Sequence, residues 1–349
     1  MMRIAAIKSV PTIRDRESRR TGFRALYFKE FADYFRSTRF LIVLGLIGVL
    51  GLGSVYVASL GFQDLLSSSS SSSSSGASTD FMFLNLFVLS GTLSDGTSIP
   101  SFATMMALMG PIVGLALGFD AINGERSRRT LSRLVAQPIY RDAVINGKFF
   151  AGVTVIAIMI FSLGFIISGG GMVIIGLVPT LEELLRILVF LLFTVVYMSL
   201  FLAVSLLLSL LFRHTSTSAL TGIGIWLFFI LFVGLLAGII ANAAYPITDN
   251  SSLESYMNNK SCSEAISRIS PTTLYGEAAS AILNPAMRMV TSTFTISQYY
   301  QAYSMISGNL PFGQSLLLVW PHLTGLVALT MICFAISYVC FMKQEIRAE

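Results

Sequence analysis

The chain has 349 residues, of which 54% are hydrophobic and 12% are charged, and its mean hydropathy is +0.76. A typical soluble protein carries about 25% charged residues, so the composition excludes a water-soluble globular fold, and the apolar excess excludes a disordered chain as well. Three cysteines are too few for a disulfide framework or a cysteine-rich zinc site. The composition therefore predicts a polytopic membrane protein.

Residues 1–39 contain ten Lys and Arg residues and no continuous apolar segment, so we do not expect a cleaved signal peptide there. Within them, residues 24–40 follow the pattern of an amphipathic helix at a membrane interface, with its aromatic side in the acyl boundary and its charges in water. The apolar face consists of Phe28, Phe31 or Ala32, and Phe35, and the charged face of Lys29, Glu30, Asp33 and Arg36. Simple anchoring of the terminus is the alternative role for this helix.

Six stretches are apolar enough to cross a bilayer, which takes about 20 residues, and none of them contains Asp, Glu, Lys or Arg. They are Phe40–Leu60, Phe102–Phe119, Phe149–Val178, Ile187–Phe212, Ser218–Asn242 and Leu316–Phe341. The sequence thus predicts an all-α polytopic membrane protein with six transmembrane helices. Residues 40–341 form the predicted transmembrane domain, between the cytoplasmic segments 1–39 and 342–349.

The distribution of positive charge predicts that both termini are cytoplasmic. Of the Lys and Arg residues, 19 fall in residues 1–39, residues 120–148, the turn after Phe212 and the C-terminal tail, whereas 4 fall in the segments of the opposite side. The net charge of +5 is thus a topology signal, and it gives no reason to expect a nucleic-acid partner. The predicted location is the plasma membrane of a prokaryotic cell.

The long loops on the predicted outer side are residues 61–101 and 243–315. The first contains nine consecutive serines, Ser67–Ser75, which predict a solvated flexible linker. The second contains glycosylation sequons at Asn250 and Asn259. Modification of these asparagines would confirm the topology and indicate an archaeal or eukaryotic source.

The second outer loop also contains a predicted helix. Ser270 is a suitable N-cap, Pro271 suits the first helical position, and apolar residues recur at helical spacing as far as Leu283. We therefore expect a short external helix that lies at the membrane surface.

Residues 120–148 form the second long cytoplasmic segment. Their pattern predicts a helical extension of the second span, a break at Pro138, and a short helix that enters the third span through Gly147 and Lys148. A basic helical hairpin against the inner face of the membrane suits a docking surface for a cytoplasmic partner. A positively charged loop that only determines topology is the alternative.

The order of residues in this segment resembles the loop between the second and third spans of ABC-2 type transporter permeases. The matching positions are Glu125, Thr130, Leu131, Leu134, Pro138, Arg141, Val144, Gly147 and Lys148. The run Lys29–Ile42 similarly resembles the entry to the first span in the branch that includes permeases linked to multicopper-enzyme maturation. Two departures are Arg129, where many relatives have glycine before the Thr-Leu pair, and outer loops longer than is usual for that branch.

The resemblance implies a permease subunit of an ATP-driven transporter, with export as the usual direction. Two such subunits pair, as copies or paralogues, and a dimer of separate ABC ATPase subunits, which bind ATP and Mg, docks on cytoplasmic coupling helices. The sequence agrees that the motor is separate, since it contains no Gly-x-x-x-x-Gly-Lys-[Ser/Thr] phosphate loop. The resemblance places the main coupling contact on Glu125, Arg126, Thr130, Leu131, Pro138 and Arg141, and a second on Lys29, Glu30 and Arg36.

Glycine spacing indicates where two subunits could pair. Gly234 and Gly238 form a small-xxx-small face in the fifth span, and Gly45, Gly48 and Gly51 lie in the first span. The resemblance implies that these two spans form the contact between paired subunits. Packing within one subunit is the alternative use of the same glycines.

The sequence shows no arrangement suited to catalysis. It has two histidines, His214 and His322, and no His-Glu-x-x-His or Gly-x-Ser-x-Gly motif, so we predict a non-catalytic subunit that binds no metal or cofactor itself. Copper(I) binding by Met105, Met106 and Met109 is an alternative to ordinary packing of these side chains.

Two other functions compete with ATP-driven transport. One is a secondary carrier, which generally needs ionisable groups at the membrane midplane, and spans without carboxylates argue against it. The other is a membrane scaffold that signals to a cytoplasmic partner without moving solute. Spans without charge favour an amphiphilic or lipid-like cargo, or mechanical work on an external partner, over a small hydrophilic ion.

Overall fold

A computed structural model describes residues 13–38, 40–49, 51–53, 56, 81–88, 91–92, 98–127, 140–176, 178–247, 253–285 and 310–343. Several sequence predictions fall outside these ranges. They concern the serine run 67–75, Thr130, Leu131, Pro138 and the sequon at Asn250.

The described residues form mainly helices. The helices are α1 Ile13–Arg36, α2 Phe40–Gly53, α3 Asn85–Val88, α4 Phe102–Gly118, α5 Asn123–Ser127, α6 Arg141–Ile175, α7 Leu181–Leu211, α8 Thr215–Leu227, α9 Val233–Ala244, α10 Leu253–Ser267, α11 Pro271–Leu283 and α12 Phe312–Lys343. A 3-10 turn at Met82–Leu84 precedes α3, and a π-helical turn at Phe228–Phe232 joins α8 to α9. Two short strands, β1 (Gly91–Thr92) and β2 (Ser98–Ile99), pair antiparallel with Gly91 opposite Ile99.

Five helices in the described part of the chain are long and apolar enough to cross a membrane. They are Phe102–Ser127, Arg141–Val173, Leu181–Leu211, Thr215–Ala244 and Phe312–Lys343. A sixth candidate is the pair of segments Gly22–Arg36 and Phe40–Gly53, which bend by 58° at the break between them. The predicted all-α polytopic fold is therefore confirmed, with five to six candidate spans, while the cytoplasmic position of the termini stays a prediction.

Helix α7 is the central element of the bundle and packs against α4, α6, α11 and α12. It begins at a capping box, in which the Thr180 hydroxyl accepts the N–H of Glu183 and the Glu183 carboxylate accepts the N–H of Thr180. Phe190, Tyr197 and Leu202 are fully buried along its length. Because Leu181–Leu211 is the most buried of the five candidate spans, α7 is the core of the fold.

Three glycines spaced four residues apart let α4 approach α7 closely. A Cβ atom on Gly114 would lie 2.5 Å from the backbone oxygen of Met198, and one on Gly118 would lie 2.8 Å from the Ser205 Cβ. Gly110 continues the stripe one turn earlier and faces the same helix. This small-xxx-small stripe joins two helices of one subunit, and the sequence analysis did not single it out.

The helix predicted at the outer surface instead inserts into the bundle. α10 packs against α9, and α11 packs against α7, α4 and α12, so that α10 and α11 form a helical hairpin. The Ser270 hydroxyl at its turn donates to the carbonyl of Phe229 at 3.3 Å, midway along Thr215–Ala244. The predicted surface position of α11 is therefore wrong, because its apolar side chains are buried among the spans.

Tyr275 shows how deeply α11 is inserted. Its ring stacks on that of Tyr197 with the centroids 4.3 Å apart, and its hydroxyl lies 2.9 Å from that of Thr194. At about 1.5 Å of rise per residue, Tyr197 lies about 16 Å further along α7 than Arg186, which is near the start of that helix. This depth is about half of a hydrocarbon core that is about 30 Å thick.

Arg186 anchors the base of the hairpin at the predicted outer end. Its side chain is fully buried, and its guanidinium donates to the Glu182 carboxylate at 2.8 and 3.1 Å. The other N–H groups donate to the carbonyls of Ile282 (3.1 Å) and Leu310 (2.7 Å) and to the Ser315 hydroxyl (3.0 Å). One buried cation therefore joins α7 to the end of α11 and the start of α12.

The sequon at Asn259 lies inside the hairpin rather than on an exposed loop. The residue is 8% exposed. Its amide nitrogen, which would carry a glycan, donates to the Asn242 side-chain oxygen at 2.8 Å and to the Tyr245 carbonyl at 2.7 Å. A glycan would replace one of the two amide hydrogens and so break at least one of these bonds, which argues against Asn259 as an acceptor in the folded structure.

Substitution of Gly114 by alanine is expected to destabilise the protein, because the added methyl group would meet the Met198 carbonyl, which the helix backbone holds in place. Overpacking of this kind costs about 1–3 kcal/mol. Gly224→Ala is the matched control, since no described atom lies within 4 Å of its added Cβ. Thermal unfolding of both purified variants in one detergent tests this, and equal unfolding temperatures would contradict the close packing of α4 on α7.

Candidate functional site

The two regions that are predicted to be cytoplasmic and that the resemblance implicates meet at one buried cation, Lys148. Its ammonium group lies 2.9 Å from Glu30 Oε2 and 2.8 Å from Glu125 Oε1, and its side chain is 3% exposed. Glu30 comes from α1, Glu125 from α5 and Lys148 from α6. We call these three residues the Lys148 cluster. Its charge-assisted hydrogen bonds hold three helices together.

Close packing of α1 on α6 brings the Lys148 cluster together. A Cβ atom on Gly147 would lie 3.1 Å from the Leu26 side chain, so glycine at this position lets the two helices approach. The Tyr27 hydroxyl donates to the Thr154 hydroxyl at 2.9 Å across the same contact. The adjacent glycine and lysine of the family resemblance thus have distinct physical roles, because the glycine provides space and the lysine provides the bond.

Helix α5 is held in place by the end of α7. The Ser209 hydroxyl accepts the backbone N–H groups of Ile122 and Asn123 at 3.0 and 3.1 Å, which satisfies donors at the start of α5. A small apolar cluster supports the same region and consists of Leu26, Ile122, Val144, Ile145, Leu210 and Phe341. This packing joins α1, α6, α7 and α12 about one helical turn from the Lys148 cluster.

The structure corrects one of the predicted faces of α1. Glu30, predicted to face water, is 7% exposed because it bonds Lys148. Lys29 stays half-exposed and donates to Glu30 at 3.0 Å. Phe28 and Phe35 are exposed, as an apolar face in contact with lipid requires. The period of a helix cannot show which of its charged residues has a partner on another helix, and that is the reason for the error.

The other predicted coupling residues that the structure describes differ in how exposed they are. Arg126 follows Glu125 in α5 and Arg141 begins α6, and both are partly buried, whereas Arg36 is exposed at the end of α1. Lys148 is among the residues that carry the family resemblance, but it is not one of the predicted coupling residues. A single lysine at the entrance to an apolar span is the signal that could have identified it.

Most of the glycines predicted at the subunit contact are open in the single chain. No described atom lies within 4 Å of a Cβ placed on Gly45, Gly234 or Gly238, and Gly48 has only Leu163, at 3.9 Å. Gly51 differs, because a Cβ placed on it would lie 3.3 Å from the Phe102 ring of the same subunit. The span Thr215–Ala244, which carries Gly234 and Gly238, is the least buried of the five. These faces are available to lipid or to another subunit.

The described residues include no group of three or more His, Cys, Asp or Glu side chains that could hold a metal ion. Of the methionines considered for copper(I), Met106 packs in the main apolar core, whereas Met105 and Met109 are partly buried. The Lys148 cluster consists of an ammonium group between two carboxylates. Such an arrangement holds helices in a defined position and can transmit the displacement of one helix to the others.

Comparison with known proteins agrees with the resemblance. Residues 24–346 match the model of a family described as ABC-2 family transporter protein. The chain is also similar to the probable ABC transporter permease protein NosY of Pseudomonas aeruginosa, with 28% identity over 148 residues. That match covers 42% of this chain and 53% of the relative, so the chain spans about half the length of the curated relative it matches.

Replacement of Lys148 by methionine is expected to destabilise the protein by about 3–5 kcal/mol, because it leaves the carboxylates of Glu30 and Glu125 buried without their cation. Lys29→Met is the matched control, since Lys29 is half-exposed and such pairs contribute about 0–1 kcal/mol. Adding Glu30→Gln to Lys148→Met should recover part of the loss. Thermal unfolding measures all three variants, and a Lys148→Met variant as stable as Lys29→Met would show that the cluster does not hold the helices.

Proposed function

The chain belongs to the ABC-2 family of transporter proteins, and we propose that it couples ATP hydrolysis on a separate ABC ATPase dimer to the export of a substrate. Family membership makes it a multi-pass membrane subunit of an ABC transporter and implies an ABC ATPase as its partner. Subunits of this family are generally not catalytic. In the proposal, ATP and Mg bind on the ATPase partner. The helices of this chain undergo the movement that exports the substrate.

The Lys148 cluster is the observation that supports this proposal most directly. It ties α1 and α5, the two elements that the resemblance assigns to the ATPase contact, to the start of α6. The rest of α6 is a continuous helix of 35 residues that packs on α7. An ATPase that pushes on either cytoplasmic element therefore moves a membrane-spanning helix, which is the requirement for coupling.

The spans favour an amphiphilic or lipid-like cargo, or mechanical work on an external partner. Large apolar side chains are exposed along the outer faces of several spans, including Phe165, Leu220, Leu231, Ile239 and Met331. Such faces contact lipid or a second subunit and give a hydrophilic ion no path along them. Export is the proposed direction because it is the usual one in the resemblance.

Pairing with a second permease subunit is part of the proposal. The open faces at Gly45, Gly234 and Gly238 allow close approach of another helix. We propose that the partner is a second copy of this chain, with a paralogue as the alternative.

A secondary carrier is the second candidate function. The six apolar stretches predicted as spans contain no carboxylate, but α11 inserts Glu277 beside His322 of the last span, with Oε2 and Nε2 3.0 Å apart. Ionisable groups at such positions occur in carriers driven by protons. Transport by the purified chain alone under a proton gradient, without an ATPase, would support this candidate.

Arg126→Glu combined with Arg141→Glu is expected to reduce ATPase association several-fold while membrane insertion is kept, because Arg126 follows Glu125 in α5 and Arg141 begins α6, both within the region that the resemblance assigns to the ATPase contact. The tagged variants are purified in mild detergent from the native host, and a P-loop ATPase is quantified by mass spectrometry. Arg213→Glu is the control, since Arg213 is exposed in the other predicted cytoplasmic turn. Absence of any stoichiometric ATPase from the unmodified protein would contradict ATP-driven transport and favour the carrier or scaffold.

Cysteine at Gly238 is expected to form a disulfide between two copies of the chain in membranes under mild oxidation. The experiment uses a background in which Cys262, Cys333 and Cys340 are replaced by serine. Gly169→Cys is the control, because Gly169 is equally open but lies on α6. Equal dimer yields for the two variants, or none for Gly238→Cys, would contradict pairing through α9.

A further inference from the structure

The first helix of the inserted hairpin, α10, is unusually polar for its position. Nine of the 15 residues of Leu253–Ser267 are Ser, Asn, Lys or Glu. The neighbouring helix α9 is the opposite case, because Asn242 is its one polar side chain. Polar side chains within the hydrocarbon layer face protein or water rather than lipid, so each side of α10 needs a partner of one of these two kinds.

Two contacts with the fifth span show how far α10 enters the bundle. Asn259 donates to the Asn242 side chain at 2.8 Å, at the predicted outer end of that span, and Ser270 at the hairpin turn donates to the Phe229 carbonyl. Asn242 and Phe229 are 13 residues apart, which corresponds to about 20 Å along a helix. The second half of α10 therefore lies at the depth of the hydrocarbon layer, which is about 30 Å thick.

One face of α10 is exposed and carries mainly polar side chains. The helix packs closely against α9, whereas α11 packs against α7, α4 and α12. The exposed residues recur every three or four positions, as one helical face requires. They are Glu254, Asn258, Ser261, Ala265 and Arg268, with Met257 and Ile269 next to them. We call the first five residues the polar face of α10.

Arg268 is the strongest evidence that the polar face of α10 meets water. Its side chain is 42% exposed, although its Nε donates to Glu277 Oε2 at 2.9 Å. Glu277 is seven residues beyond the hairpin turn at Ser270, so this pair lies about 10 Å outward of the turn and about 10 Å inside the end of the fifth span. An arginine exposed to lipid at that depth is strongly unfavourable. The exposed part of Arg268 therefore faces water or another polar surface.

Beside Arg268, two buried polar atoms have no hydrogen-bond partner among the described residues. They are Glu277 Oε1 and, on the last span, His322 Nδ1. The two side chains contact each other through Oε2 and Nε2, which lie 3.0 Å apart. Buried polar atoms are nearly always hydrogen-bonded to protein or to ordered water. These two atoms thus indicate that water enters the hairpin as far as Arg268.

The charges along α10 indicate what kind of group its polar face accommodates. Glu254 and Glu264 are acidic, Lys260 and Arg268 are basic, and Lys260 lies 3.8 Å from Glu264. A surface with both signs of charge and with hydroxyl and amide groups between them suits a hydrated neutral or zwitterionic group better than a free ion. The open position suited to close contact with another subunit, Gly238, lies on α9 instead.

We propose that the polar face of α10 lines a water-filled cleft, which opens at the predicted outer side and reaches the Arg268–Glu277 pair. The cleft accepts the polar part of the exported substrate, and this role rests on the proposed function. The apolar part of an amphiphilic substrate lies against the exposed apolar side chains of α9, such as Leu235 and Ile239. Polar and apolar surfaces adjoin here because α10 packs on α9.

Cysteine accessibility tests the cleft with the purified full chain in lipid nanodiscs. Cys262, Cys333 and Cys340 are replaced by serine, and Ala265→Cys places one thiol on the polar face. A charged methanethiosulfonate reagent is expected to label this thiol about tenfold faster than Leu235→Cys, because a thiol in lipid does not ionise. Leu235 is the matched control, since it is 63% exposed at about the same depth but lies among the apolar side chains of α9.

Equal labelling of the two variants, or slow labelling of Ala265→Cys, would overturn the cleft. A disulfide between two copies of Ala265→Cys under mild oxidation, together with slow labelling, would assign the polar face to the contact between subunits instead. Ser261→Cys provides a second position on the same face, one turn closer to the outer end, and is expected to label as fast as Ala265→Cys.

The role of the cleft in export is tested in the complex with the ATPase. Trapping with ATP and vanadate is expected to change the labelling rate of Ala265→Cys several-fold and to leave Leu235→Cys unchanged, because an export path opens and closes during the cycle. An unchanged rate in a complex that hydrolyses ATP would overturn the export role but not the proposed coupling. Absence of an ATPase would contradict the proposed function, whereas labelling of the chain alone would still decide whether the cleft exists.

Discussion

Burying charge in an apolar bundle is the constraint on which this structure depends, because each buried charge needs partners that only other helices supply. Lys148 binds carboxylates from α1 and α5. Arg186 binds groups at the end of α11 and the start of α12. Glu277 binds His322 on the last span. Helices that are remote in sequence are therefore held at defined positions by the hydrogen bonds of three buried ionisable groups rather than by apolar packing alone.

These contacts lie at different positions along the long helices of the bundle. The long helices α6 and α7, of 35 and 31 residues, run between the Lys148 cluster at one end and Arg186 at the other. Ser209 near the end of α7 holds the start of α5. A displacement applied at α1 or α5 can therefore reach the base of the hairpin through helices that are packed along their length, as the proposed coupling requires.

The fifth span has an irregular helical turn at the depth that the turn of the hairpin reaches. Its helix passes through a π-helical turn at Phe228–Phe232, and the Ser270 hydroxyl at the hairpin turn bonds the Phe229 carbonyl within it. Such turns often mark functional positions because the regular hydrogen-bond ladder is interrupted there. The hairpin thus contacts the fifth span at its middle and the last span at His322, so its movement would affect both.

Hydropathy, helix signals and the family resemblance determined much of this protein without a structure. Apolar runs of span length predicted the helical membrane fold, and Ser270 and Pro271 correctly marked the start of α11. The positions of these elements were decided only by tertiary structure. The predicted short helix before the third span is continuous with that span from Arg141, and its Lys148 is buried between the carboxylates of Glu30 and Glu125. Helix α11 enters the bundle, where Tyr275 and Glu277 find partners. A hydropathy pattern depends on residues that are neighbours in sequence, whereas the partner of a buried charge lies on a distant part of the chain. The pattern of one helix therefore cannot identify the partner of a charge buried in it.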